Sequence, residues 1–425
     1  MQAEENMDAG PASDGGPSRP PLVAPLSTDR RTYIMATPLA RLLGTCLSFV
    51  AILATTSSSF AAGTVKTALG AVRVPGADLE IVINVAKARK TAFHEATKQL
   101  EDELKEDMDV EALAAGEKFE AFLKSIGIEE EDLTAIVGAV SLRSIEPNAE
   151  ETKVPGLLAM ALAKPIKAAT IREGITKAAA EEGEQVEINE TVYKGVPMLS
   201  VNLDAADFAA DMPPEAGKVL ADLYVALPAD GQAIYFGQGE QVKAAIDRML
   251  AGSASPRSVG LKNAKALVPA GSEGYLIFDM PDAYREFMDE QAANAGGNPM
   301  AAGPMMALAG LKGAAFSSLT TDKAEIAITG DFEGPENAIQ LKTMLDMGLG
   351  MAKMQLVNAA GEQLAIAKSL KTANEGNKLT ISFEVTVQDI RDLVAFAKRM
   401  QGGHGGPGAA PGAAPGAAPG GVPAP

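Results

Sequence analysis

The sequence predicts an α+β protein of two tandem similar halves, each a mixed or antiparallel sheet with helices packed on one face. Three observations predict it: short runs of alternating apolar and polar residues, longer runs with apolar residues three or four positions apart, and a repeated order of these runs. That order is strand, helix, two strands, helix, two strands, helix. It is compatible with a ferredoxin-like arrangement in each half.

The first predicted domain covers residues 70–255. Its first strand contains Leu79, Ile81 and Ile83 in alternation with Glu80 and Asn84. Apolar residues at helical spacing predict helices over 93–104, 119–126, 167–182 and 240–250. Period-2 runs predict strands over 135–142 and 157–163, and two hairpins, 186–193 with 196–203 and 223–227 with 233–236, which turn at Lys194-Gly195 and Asp230-Gly231.

The second predicted domain covers residues 262–400, after a stretch of linker composition from Ala251 to Arg257. We expect a helix that begins at Pro281-Asp282 with Tyr284, Phe287 and Met288 on one face. Further helices are expected over 335–357 and 388–400, the last of them opened by Thr386 and Asp389 in a pattern close to a capping box. Strands are predicted over 275–278, 312–320, 323–331, 363–370 and 379–385.

A gapless comparison of the halves supports their similarity. It places Val74-Pro75 on Val268-Pro269, Ile83 on Ile277 and Phe93 on Phe287. Four identities over about twenty positions exceed the chance expectation of roughly one in seventeen. The repeated order of elements is the better argument for a tandem repeat domain.

The N-terminal segment predicts export. Residues 1–61 combine a disordered extension with a signal peptide: arginines lead into an apolar run from Leu42 to Ala54, and cleavage is expected at Ala61 or Ala62. Arg30-Arg31 resembles a twin-arginine signal, whereas a translation start at Met35 would leave a conventional Sec signal. Either reading predicts a periplasmic or secreted protein, without a transmembrane helix in the mature chain.

The C-terminal segment 401–425 consists almost entirely of Gly, Pro and Ala, with Pro-Gly-Ala-Ala repeated from Pro407. It has few side chains to bury, so we expect a disordered, solvated tail.

Composition excludes several classes of function. The net charge of −18 repels phosphate backbones, so no nucleic-acid partner is expected. The only cysteine, Cys46, precedes the predicted cleavage site, so a disulfide framework is excluded. Two histidines, His94 and His404, argue against a histidine metal site or a Ser-His-Asp triad, and we expect His94 to be a partly buried, hydrogen-bonded helix residue.

Local motifs do not assemble a reaction centre. The loop Gly237-Gln238-Gly239 follows a strand, but Val242 stands where a dinucleotide fingerprint needs its third glycine, so a tight strand-to-helix turn is expected. Two acidic runs, 101–111 and 129–132, are consecutive in sequence, so most of their carboxylates must face water. Glu130 and Glu131 suit the start of a short helix.

Methionine is the unusual component, with 18 residues and no tryptophan. Met344, Met347, Met351 and Met354 fall on one stripe of a helix. Such a stripe is typical of a core, and we expect these side chains to be buried; the alternative is a Cu(I) site built from thioethers. A loop with Met300, Met305 and Met306 is a candidate partner surface.

These observations lead to an exported, acidic protein that acts by binding or assembly in the periplasm or cell envelope, with no cofactor and with an unknown protein or envelope component as partner. The alternatives are a hydrolase using paired Asp and Glu and a methionine-based copper-binding protein. Buried, facing carboxylates would favour the hydrolase, exposed methionines the copper protein, and an incompletely covered apolar surface the binding protein.

Overall fold

The computed structural model describes residues 63–104, 120–142, 156–181, 186–202, 223–294, 305–355 and 365–402. The predictions for the signal peptide, for Ala61 and Ala62, for Met300 and His404 and for residues 403–425 lie outside this description.

The described chain alternates helices and strands. The helices are α1 Gly63–Ala71, α2 Val85–Ala88, α3 Ala92–Leu104, α4 Ala168–Glu181, α5 Gly239–Leu250, α6 Val259–Lys265, α7 Asp282–Asn294, α8 Pro335–Gln355, α9 Ala365–Ser369 and α10 Val387–Gly402, with further helical residues at 120–125 and 305–309 and short 3-10 turns at Glu130–Asp132 and Ala229–Gly231. The strands are β1 Leu79–Ile83, β2 Leu133–Val140, β3 Gly156–Leu162, β4 Glu187–Tyr193, β5 Val196–Asn202, β6 Leu223–Ala226, β7 Ala233–Gln238, β8 Gly274–Asp279, β9 Leu311–Thr320, β10 Ala324–Phe332, β11 Lys371–Glu375 and β12 Lys378–Val385.

All described strands form one antiparallel sheet of 12 strands, in the order β11-β12-β10-β9-β8-β1-β2-β3-β7-β6-β5-β4. The protein is therefore α+β, as predicted. The two predicted hairpins are present: β4 pairs with β5, and β6 pairs with β7. Lys194 and Gly195 both have positive φ, at 50° and 85°, as a two-residue hairpin turn of the favoured hand requires.

The ferredoxin-like arrangement is not confirmed. That fold places another strand between two strands joined through a helix. Here β1 and β2, which are connected through α2 and α3, are direct neighbours in the sheet.

Helices cover both faces of the sheet where it contains β2, β3 and β7, and the prediction of one covered face is wrong there. Ala135, Val137 and Ala139 pack with residues of α1, α5 and α6, whereas Ile136 packs with residues of α4 and of the segment 120–126. Seven of the eight residues of β2 are buried for this reason. A strand covered on both faces has a nearly continuous apolar sequence.

One predicted strand, 363–370, is wrong, because residues 365–369 form helix α9. The hairpin turn explains the difference. Glu375 pairs with Lys378, so the loop contains only two residues, the first of which is Gly376 with φ 61°. This short loop fixes the register, and the partner of β12 must be the segment just before Gly376, namely β11.

The two groups of strands meet at β1 and β8. Val82 pairs with Tyr275 and Ile81 with Leu276, at the centre of this antiparallel contact. The alignment that places Ile83 on Ile277 also places Val82 on Leu276 and Ile81 on Tyr275. It therefore exchanges the two cross-strand pairs, as a two-fold axis between β1 and β8 would. The similarity of the halves stays a prediction. The predicted domains 70–255 and 262–400 share one continuous sheet.

Candidate functional site

A buried ion-pair cluster lies at the junction of β1 and β8. The Glu80 side chain is 1% exposed, and it accepts hydrogen bonds from Arg257 Nε at 2.8 Å and from Arg73 Nε at 3.3 Å. Arg257 also donates to the Tyr275 hydroxyl at 3.2 Å, and Lys265 Nζ lies 3.6 Å from the centre of the Tyr275 ring. Alternation in β1 and β8 places Glu80 and Tyr275 on the same face of the sheet.

The cluster contains one carboxylate and three basic groups, Arg73, Arg257 and Lys265. The hydrogen bond to Glu80 raises the pKa of Arg257, and burial raises the pKa of Tyr275 to about 12. Burial, reinforced by the positive charge of Arg257, lowers the pKa of Lys265. Arg73 and Arg257 both hold the Glu80 carboxylate, and such an arrangement fixes the positions of the backbone segments that carry these residues. A carboxylate in a proton-transfer role needs instead to contact the group that exchanges the proton.

Other buried carboxylates are also held by structural partners. Glu273 accepts from the Thr320 backbone N–H at 2.8 Å and lies 3.2 Å from Lys87 Nζ. Asp132 contacts Lys164 Nζ at 2.8 Å, at the end of the short 3-10 turn predicted at Glu130. No group of three or more His, Cys, Asp or Glu suited to a metal ion occurs among the residues with a described placement.

Asp389 has a local role that the sequence predicted. It accepts from the Thr386 backbone N–H at 2.8 Å, and its own N–H donates to the Thr386 hydroxyl at 3.1 Å. These reciprocal bonds are those of a capping box, and they satisfy two backbone donors at the start of α10.

The methionine stripe of α8 is not a buried core. Met344 is half-buried, but Met347 is 62% exposed, so the expectation of burial is wrong at Met347; the side chains of Met351 and Met354 lie outside the description. The face of α8 that packs on the sheet contains Ala338, Leu341 and Leu345. At about 100° per residue, Met347 lies on the side of the helix opposite Ala338.

His94 is buried as expected, with 6% exposure, but its Nδ1 has no hydrogen-bond partner among the described atoms. Burial lowers its pKa, against the opposing effect of the Glu130 charge. The loop at Gly237 to Gly239 is the expected strand-to-helix turn, and a Cβ on Gly239 would come within 2.7 Å of the Tyr224 ring.

The polar face of β9, β10 and β12 carries an open cavity of about 160 Å³. Cross-strand register places Ser317, Ala327 and Ser382 side by side on this face. Ser317 donates to the Ala327 carbonyl, and Lys323 bridges the paired carboxylates Glu325 and Glu384. The cavity is thus lined by groups that already contact one another. The remaining lining residues are Pro269, Ser272, Leu319, Ser369 and Lys371, and the cavity is also bordered by Ile326 and Phe383, two strand positions that alternate to the opposite face.

The opposite face of the same strands is apolar and incompletely covered. We call apolar patch the set of six half-buried side chains on β8, β9, β10 and β12, which are Leu276, Phe316, Ile326, Ile328, Ile381 and Phe383. Leu276, Phe316, Ile328 and Ile381 are in register across these four strands, so they form a straight row. None of the six belongs to a buried core cluster of the described residues.

The equivalent row on β2, β3 and β7 behaves differently. Ile136, Met160 and Ile234 are in register there, and none is more than 2% exposed. Ile171 and Ile175 of α4, with neighbouring apolar residues, cover that row. In the other half of the sheet, α8 packs on Leu311, Phe332 and Leu379, which lie on the same face as Ile328 and Ile381, and the apolar patch stays half-buried.

Neither the polar cavity nor the apolar patch was predicted as a site. The alternation of polar and apolar residues in β10 separates its two faces, but it does not say which face a helix covers. No described helix is long and apolar enough to cross a membrane.

No known family model, no curated protein and no solved structure matches this chain.

Proposed function

We propose that this protein is an exported binding protein that acts in the periplasm or cell envelope and holds an apolar ligand on the apolar patch. The single observation that carries the proposal is the half-covered row Leu276, Phe316, Ile328 and Ile381, set against the buried row on β2, β3 and β7. Burial of apolar surface is the main favourable contribution to folding and to association. A contiguous apolar surface that stays partly exposed to water can therefore gain free energy by binding an apolar ligand.

The contacts of the buried carboxylates favour binding over hydrolysis. Glu80 is held by two arginines and Glu273 by a lysine and a backbone N–H. A glycosidase-type pair needs two carboxyl groups that face each other across a cleft, one of them able to give up a proton. These two carboxylates instead serve the packing of β1 and β8 against their neighbours.

The apolar patch offers a direct test with Nile red, a neutral fluorescent probe that the net charge of −18 does not repel. Ile328→Gln and Ala327→Gln place the same amide one residue apart on opposite faces of β10. We expect saturable binding to the full chain, weakened about tenfold by Ile328→Gln through the lost apolar contact. Ala327→Gln should bind as the wild type does.

The result that contradicts the proposal is an absence of saturable binding, or an equal loss of binding in both variants. Far-UV circular dichroism and the thermal midpoint of each variant must match those of the wild type, so that a change in binding is not a change in folding. Ile381→Thr, on the neighbouring strand, provides a second variant if Ile328→Gln fails to fold.

A further inference from the structure

We infer that the basic side chains around Glu80 form a binding site for a small oxyanion with two negative charges, such as sulfate or the phosphate group of a phosphomonoester. The site goes beyond the proposed function and does not depend on it, because Tyr275 of the cluster and Leu276 of the apolar patch alternate to opposite faces of β8. Three properties support the site: an excess of positive charge, the closeness of the cations to one another, and their unused hydrogen-bond donors.

The cluster carries an excess of positive charge. Arg73, Arg257 and Lys265 lie around the single carboxylate of Glu80 and the neighbouring Tyr275, so two of the three positive charges have no carboxylate of their own among the described residues. Burial and the charge of Arg257 lower the pKa of Lys265, and the carboxylate that raises it is again Glu80. A bound dianion would neutralise the cluster at contact distance, whereas the net charge of −18 is largely screened beyond the Debye length of about 8 Å.

The three cations lie close to one another. Arg73 Nε and Arg257 Nε both donate to Oε2 of Glu80, at 3.3 and 2.8 Å, so these two nitrogens are within about 6 Å of each other. Arg257 Nη2 lies 3.2 Å from the Tyr275 hydroxyl, and Lys265 Nζ lies 3.6 Å from the centre of the same ring. An oxyanion beside Tyr275 therefore has both a guanidinium group and an ammonium group within reach.

Hydrogen-bond donors remain for such a ligand. The printed contacts of the two arginines use Nε of Arg73 and Nε and Nη2 of Arg257, and no described residue accepts from the other three guanidinium nitrogens or from Lys265 Nζ. The side chains of Arg73 and Arg257 are 28% and 20% exposed, so a dissolved ion can reach them. Guanidinium groups bind phosphate-like oxyanions through paired N–H donors, and the uncompensated charge favours a dianion over a monovalent carboxylate.

The test is calorimetric titration of the full chain with sodium sulfate, at an ionic strength held constant with sodium chloride. We expect saturable binding of one sulfate per chain, weakened about tenfold in Lys265→Met through the loss of one charged donor. Lys243→Met makes the same change at another ammonium group, 6.0 Å from the centre of the Tyr193 ring, and should bind sulfate as the wild type does. Arg73→Ala removes a different cation of the cluster and provides a second variant if Lys265→Met fails to fold.

Sulfate binding that is weakened in Lys265→Met and retained in Lys243→Met supports the inference. Titration with inorganic phosphate and with glycerol 3-phosphate then distinguishes the sources of the ligand: tighter binding of the ester indicates a phosphomonoester, equal binding indicates the free ion, and both results support the site. The inference is overturned by an absence of saturable binding up to about 10 mM sulfate, by equal weakening in the two lysine variants, or by an equal affinity for acetate. None of these results bears on Nile red binding to the apolar patch.

Discussion

Replacement of Glu80 should lower the free energy of unfolding, because its side chain is buried at the junction of β1 and β8 and is held by two cations. Arg257 donates two hydrogen bonds to it, at 2.8 and 2.5 Å, and Arg73 donates one at 3.3 Å. Removal of one partner from a buried ion pair leaves the other charge uncompensated and costs about 3–5 kcal/mol. Glu80→Gln keeps the shape and removes the charge, so we expect a loss of about 3 kcal/mol.

The arginine variants should rank by their contacts. Arg257→Ala removes two hydrogen bonds to Glu80 and one to the Tyr275 hydroxyl from a side chain that is 20% exposed, and we expect it to cost about 2–3 kcal/mol. Arg73→Ala removes one longer bond from a side chain that is 28% exposed, and about 1 kcal/mol is expected. Glu325→Gln makes the same chemical change as Glu80→Gln on an exposed residue and should stay within about 0.5 kcal/mol of the wild type.

Urea denaturation of the full chain, followed by far-UV circular dichroism, measures these differences, provided that the dependence on urea is the same for all variants. The reasoning is refuted if Glu80→Gln is as stable as the wild type, or if Arg73→Ala costs more than Arg257→Ala. The first result would mean that the Glu80 charge contributes no net stability at the junction, and the second that the contacts do not rank the two arginines.

Three further predictions concern single groups. Asp389→Ala should lower the free energy of unfolding by about 1 kcal/mol, since the backbone N–H of Thr386 loses its acceptor at the start of α10. The urea midpoint should fall accordingly, and an unchanged midpoint would contradict the capping role. Tyr235→Phe should cost about 1 kcal/mol, because the buried hydroxyl donates to the Ala68 carbonyl at 2.6 Å; equal stability of the variant would show that this bond is energetically neutral. Burial raises the pKa of Tyr275 from 10 to about 12, so the stability linked to its protonated form is complete below pH 10 and is lost as the pH rises towards 12. We expect this loss, up to about 2 kcal/mol, to be smaller in Tyr275→Phe when unfolding is measured between pH 9 and 12. Identical pH profiles of the two proteins would refute the assignment.

Sequence periodicity predicted most of the local structure correctly. The hairpin at Lys194-Gly195, the turn at Gly239 and the capping box at Thr386 are all determined by residues within a few positions of one another. Their physical causes are the positive φ that glycine tolerates and the side-chain bonds that complete a helix end. The strand predicted over 363–370 failed because a tight turn at Gly376 selected a different partner segment.

The site features depend on contacts that no local pattern reveals. Glu80 and Arg257 are 177 positions apart, and Arg257 lies at the end of the stretch predicted as a linker. Pairing of β1 with β8 brings the Tyr275 hydroxyl and the Glu80 carboxylate together on one face. The sequence did not identify Glu80 or Tyr275 as special. A single acidic residue such as Glu80 within a strand is an ordinary feature of an exposed face.

The sequence by itself determined the α+β class, most helices and strands, and the division of β10 into a polar and an apolar face, because backbone geometry and side-chain alternation act over a few residues. Only the tertiary structure decided that all described strands join one sheet and that helices cover both faces at β2, β3 and β7. The half-buried state of the Phe316 and Ile328 side chains is likewise visible only in the tertiary structure. Strand order and helix placement depend on how the total apolar surface is buried, which is a property of the whole chain.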